Sequence, residues 1–221
     1  MLMPALSRAR ESARQTVCTS NLRQLSIGFT TYLNGNDDWW TVGGPGGQLG
    51  APGVPVWPRV IAKELRLKFV HEQAGFPNWD PDLQKHSYWA ASRPNTVFEC
   101  PSELFKNAWG GENSTSYTYN AGWGTPWGCL GAMDISPTSN PNWVRQYGRV
   151  RMGVVKNPSN TFVIGESYNE DGHYDYALSQ FAKPFHLSLY HGGGGNLLWA
   201  DGHAGHMKLG ELTFDHFWRT E

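Results

Sequence analysis

The sequence predicts an α+β protein in which one long N-terminal helix packs on a small antiparallel sheet. Three observations carry this. Apolar residues recur at helical spacing over the first 34 positions, short β-rich stretches follow, and no alternating β-α units occur that would build a parallel sheet. The clearest local signal among the stretches is a hairpin. Asn196 to Ala200 and His203 to Lys208 flank Asp201-Gly202, a pair favoured in the two-residue type I′ turn because both positions need positive φ.

The helix is expected over residues 2–34. Leu2, Ala5, Leu6, Ala9, Ala13, Val17, Leu22, Leu25, Phe29 and Leu33 mostly recur at steps of three and four and read as one stripe, with Arg8, Arg10, Glu11, Arg14, Arg23 and Gln24 on the other face. Pro4 falls in the first turn, where its missing N–H costs little, and Asn34-Gly35 supplies a stop. Residues 41–56 form a Gly/Pro-rich loop, followed by a short helix from Pro58 to Leu67. Residues 70–95, polar and aperiodic, read as an inserted loop. Strands are expected at Thr96–Glu99, Ser116–Tyr119, Arg149–Met152 and Thr161–Gly165. Neither half of the chain has its own evident core, so residues 1–221 read as one domain, a spine helix over 1–35 and a globular part over 36–221.

Composition excludes several classes. Charged residues are 17% and apolar ones 39%, so the chain is not disordered by low hydrophobicity and high charge. A formal charge of −1 leaves no basic footprint for nucleic acid. No apolar run reaches the roughly 18 residues of a membrane span, and no charged segment followed by an apolar one precedes the fold. The polypeptide as given reads as soluble. Cys18, Cys100 and Cys129 form no C-x-x-C pair, which leaves either reduced thiols or one disulfide with a leftover cysteine.

Taken together, PALSRARESARQTVCTSNLRQL at residues 4–25, FECPS at 98–102, SYTYN at 116–120, NPSNTFVIGES at 157–167 and HGGGGNLLWADGH at 191–203 resemble the prepilin-type proteins with a C-terminal H-x9-D-G signature, similar to the type II secretion pseudopilin G group. The signature residues are His191, Asp201 and Gly202. The resemblance implies a pilin-like fold with an α-helical spine, and a structural or surface-display role in the bacterial envelope rather than catalysis. It implies a periplasmic or extracellular location and partners among other pilin or pseudopilin subunits or secretion components. It also implies a Cys18–Cys100 bridge tying helix to sheet domain, which would stabilise by roughly 4 kcal/mol in the chain-entropy model. Family members open with a long apolar run. Here Met1-Leu2-Met3-Pro4 looks like its last turn, so contact with a membrane is expected only through a segment upstream of Met1.

Two readings stand for the signature. His191 and Asp201, with Glu166 and His203, are candidate metal ligands; an oxygen-rich set suits calcium and two histidines suit a transition metal. Alternatively Asp201-Gly202 is the turn that the hairpin demands, and His191 bonds to loop backbone. The tryptophans also divide. Trp123, Trp127 and Trp143 lie in expected loops, where exposed faces would stack on sugar rings of a polysaccharide and make the chain a carbohydrate-binding module. Otherwise they fill loop cores. No nucleophile elbow, H-E-x-x-H, phosphate loop or dinucleotide motif is present, and no enzymatic activity is expected.

Overall fold

The computed structural model describes residues 3–41, 57–67, 97–102, 116–122, 131–132, 150–166 and 190–212. Helix α1 spans Met3–Gly35 and a short helix α2 spans Trp57–Glu64. The strands are β1 (Tyr117–Tyr119), β2 (Ala121–Gly122), β3 (Gly131–Ala132), β4 (Phe162–Glu166), β5 (Gly194–Trp199) and β6 (Ala204–Lys208). Four of them form an antiparallel sheet in the order β1-β4-β5-β6, while β2 and β3 make a two-residue parallel pair. A long helix on a small antiparallel sheet is a pilin-like layout. No described helix is long and apolar enough to cross a membrane.

The apolar residues of α1 do not form one stripe. Cys18, Leu22, Leu25, Phe29 and Leu33 are buried against the sheet and α2. Ala5 to Ala9 and Ala13 are exposed, as are Leu6 (54%), Val17 (48%) and Ile27 (62%). The cause is the helical angle. At about 100° per residue, Leu6, Ala9, Ala13, Val17 and Ile27 fall within about 80° of one another, roughly 160° around from the buried set. A mostly three- and four-residue rhythm holds within each set, but the step from Val17 to Leu22 crosses to the other side.

Helix α1 runs through Gly35. The left-handed conformation expected at Gly35 is taken instead by Asp37 (φ 52°) and Asp38 (φ 61°), and the Asp38 N–H donates to the Leu33 carbonyl at 3.1 Å. Acidic side chains tolerate this region because they bond locally to the backbone. Phe29 is the hub of the core: its ring centroid lies 5.8 Å from Trp57, 6.0 Å from Trp40 and 6.1 Å from Tyr119.

Strands are found where expected at 117–119 and 162–166 and in the hairpin. Residues 97–100 instead form a turn and coil that supplies the Phe98 carbonyl to the Ser116 N–H at 2.9 Å. Around Arg151 there is only a single bridge to Trp39, followed by a 3₁₀ turn at Met152–Val154. The hairpin turn also differs. Only Gly202 has positive φ (92°), the Gly202 N–H donates to the Trp199 carbonyl at 2.9 Å, and Trp199 N–H pairs with the His203 carbonyl at 2.9 Å. That is a three-residue loop ending in a left-handed glycine, not a two-residue type I′ turn. The expectations for residues 70–95 lie outside the described residues.

Candidate functional site

The signature segment and α1 meet in a buried polar cluster. Two turns of helix separate Glu11 from Cys18, so both side chains lie on the sheet side of α1. Cys18 is joined to Cys100 by a disulfide with a Cα–Cα distance of 5.2 Å. His191, just ahead of β5, sits beside that bond with its side chain fully inaccessible. Its Nδ1 is 2.8 Å from Glu11 Oε1, and its Nε2 is 3.2 Å from Glu166 Oε1 and 3.3 Å from Cys100 Sγ.

Each member is held by further bonds. Glu166, the last residue of β4, accepts from the Asn196 backbone N–H at 2.8 Å and from Asn196 Nδ2 at 3.1 Å. Asn196 Oδ1 in turn accepts from the Thr19 hydroxyl of α1 at 3.3 Å. Glu11 accepts from the Ser102 hydroxyl at 2.8 Å. The His191 carbonyl accepts from His206 Nε2 on β6 at 2.6 Å, which fixes the loop through Gly192 and Gly193. Helix, hairpin and the Cys100 loop therefore converge on one imidazole.

Burial is the largest influence on His191 and disfavours its charged form. The hydrogen bonds and charges of Glu166 and Glu11 outweigh it, so its pKa stands above the ordinary 6.5. For Glu11, burial acts to raise the pKa, but bonds from Ser102 and His191 and the charges of His191 and Arg14 prevail and lower it. The arrangement is a pair of carboxyl groups held by one imidazole ring, with the helix supplying one and the sheet the other.

The four residues expected to share a metal fall into two pairs. His191 and Glu166 lie in the buried cluster. Asp201 and His203 lie at the hairpin turn, where Asp201 Oδ1 accepts from the His203 backbone N–H at 3.0 Å and stands 2.6 Å from His203 Nδ1. Burial acts to raise the Asp201 pKa, but these bonds and the His203 charge lower it. Gly202 completes the turn, and its carbonyl accepts from the Ser26 hydroxyl of α1 at 3.0 Å. Both ends of the signature thus grip the spine helix, His191 through Glu11 and Gly202 through Ser26.

Glu11 and Ser102 were not legible as site residues. The one signal for Glu11 was its seven-residue spacing from Cys18, which puts both on one helix face. Of the tryptophans, Trp40 and Trp57 are core, Trp199 is buried and stacks on His203 at 5.5 Å, and Trp39 carries the Arg151 guanidinium 4.9 Å from its ring centroid. Trp123, Trp127 and Trp143 lie outside the described residues, as does Cys129.

No curated protein and no solved structure matches the chain. A family model described as "Protein of unknown function (DUF1559)" matches residues 7–175, a span that holds Glu11, Cys18, Cys100 and Glu166 but ends before His191 and Asp201. Because the match covers most of the chain, this protein belongs to the DUF1559 family.

Proposed function

We propose that this chain is a pilin-like structural subunit of the bacterial cell envelope, assembling with other subunits of its kind through the outer face of α1 and displaying the sheet domain. The observation that carries the reading is the division of α1 into two apolar faces. One docks on the sheet; the other presents Leu6, Val17 and Ile27 at 54%, 48% and 62% exposure. A helix with apolar side chains on its free side is built to meet a second apolar surface, since exposed apolar patches mark interaction sites. Ala9 and Ala13 between them let a partner helix approach closely.

The rest of the site fits a load-carrying role. The helix is tied to the globular part covalently by Cys18–Cys100 and non-covalently at Glu11, Thr19 and Ser26. A disulfide suits the oxidising conditions of a periplasmic or extracellular location.

The test is substitution of the outer face alone. Val17→Asp and Ile27→Asp, introduced together, should leave secondary structure and melting temperature close to those of the parent chain, because both sites are exposed. They should abolish higher-order species recovered from the envelope of cells producing the full-length protein. Assembly at the parent level would reject the outer face as the contact.

A further inference from the structure

We propose that Cys18, Cys100, Glu166 and His191 form a closed binding site for a zinc-class divalent cation when the Cys18–Cys100 bond is reduced. One ligand atom from each of the four lies within 4.8 Å of all the others, and the residues are exposed by only 0%, 0%, 1% and 2%. Tetrahedral zinc with bonds of about 2.0–2.3 Å places its ligand atoms about 3.3–3.8 Å apart. His191 Nε2 already stands 3.3 Å from Cys100 Sγ and 3.2 Å from Glu166 Oε1. Loss of the S–S bond lets the sulfurs part towards the spacing that a shared ion requires.

The surroundings are those of a metal centre. A ligating histidine donates its other ring N–H to a carboxylate, which fixes the tautomer and aims the free nitrogen at the ion. Glu11 Oε1 occupies that position at 2.8 Å from Nδ1. Glu166 is oriented by the two Asn196 donors at 2.8 and 3.1 Å. Two thiolates, an imidazole and a carboxylate favour zinc over calcium, which takes oxygen ligands only. This differs from the oxygen-rich set of His191, Asp201, Glu166 and His203, of which only two members converge.

A dithiol reductant delivers two electrons and two protons to the Cys18–Cys100 bond, giving two thiols, and is itself oxidised to a disulfide. Binding of the cation then releases both thiol protons, and any proton on His191 Nε2, to solvent. The helix is tied to the sheet in either state, by a covalent bond when oxidised and through the ion when reduced.

The experiment uses the full chain carrying Cys129→Ser, so that no third thiol competes. Oxidised and dithiol-reduced samples are titrated anaerobically with Co²⁺ and Zn²⁺. The reduced chain should take up one ion, show thiolate-to-cobalt charge transfer with tetrahedral ligand-field bands, and melt at a higher temperature with zinc; the oxidised chain should do none of these. Glu11→Gln should weaken binding about 10–100-fold while leaving the ligand set intact, and Glu166→Gln should change the cobalt spectrum. If reduction loosens the fold, zinc should restore the aromatic circular dichroism. Absence of binding by the reduced chain, failure of zinc to restore a loosened fold, parent-level affinity in Glu11→Gln, or an unchanged cobalt spectrum in Glu166→Gln would each overturn the proposal.

Discussion

His191 has a carboxylate against each ring nitrogen, and this fixes how the fold must respond to pH. Its pKa in the folded disulfide form is above 6.5, so its contribution is fully present below that value and fades as pH rises through the folded pKa. Glu11 runs the other way. Its folded pKa is below 4.5, so its share is present above 4.5 and is lost as pH falls through the folded value. Stability from this pair is therefore greatest between the two ordinary values. Thermal melts of the oxidised chain from about pH 6 to pH 9 should show a falling melting temperature, and His191→Gln should be less stable at the acidic end with a flattened slope. An identical slope in both proteins would show that this imidazole is not the responsible group. At this scale the sequence marked His191 and Glu166 because their residue types and motif drew attention. It did not show Glu11 as their partner, since a carboxylate on a polar helix face looks the same whether it meets water or a buried ring 180 positions away.

Among elements, the helix decides most. Its existence and length were legible from spacing, from Pro4 in the first turn and from the Asn34-Gly35 stop, and α1 differs from expectation by a residue at its C-terminal end. Its facing was not legible, because a list of apolar positions hides the angular jump between Val17 and Leu22. The exact turn in the β5–β6 hairpin was likewise hidden: Asp-Gly serves a two-residue or a three-residue loop, and the choice here places the Gly202 carbonyl against Ser26. Gly28 faces α2 so closely that a Cβ would lie 2.6 Å from Ile61 Cγ2 and 3.1 Å from Leu65 Cγ. Ile61 is fully buried and β-branched, so it has little freedom to move aside. Gly28→Ala should therefore destabilise by about 1–3 kcal/mol through overpacking, despite the better helix propensity of alanine. Denaturant unfolding measures this, and a gain in stability would mean that α2 yields easily.

In the whole molecule, α1 is both the edge of the core and the free flank. At 33 residues it is about 50 Å long. Its buried stripe begins at Cys18, where the disulfide closes a sequence separation of 82 residues. In the absence of zinc-class cations, replacing Cys18 and Cys100 by serine should lower stability by about 4 kcal/mol in the chain-entropy model. Equilibrium unfolding tests this, and a loss near zero would mean that the buried apolar stripe and the polar contacts of α1 hold the helix without the bond. The α+β layout was legible because helix and strands differ in period, and the bridge followed from family resemblance rather than from spacing. The outer face emerged only once the sheet showed which side of the helix it covers.

That outer face is the centre of the functional account, and site-specific photocrosslinking in cells tests it most directly. A photoreactive amino acid placed at Val17 or Ile27 of the full-length protein should give adducts with a second copy of the chain after irradiation. The same probe at exposed Lys208 on β6 should not give that adduct. Adducts from Lys208 but none from Val17 or Ile27 would contradict assembly through the helix and move the contact to the sheet domain.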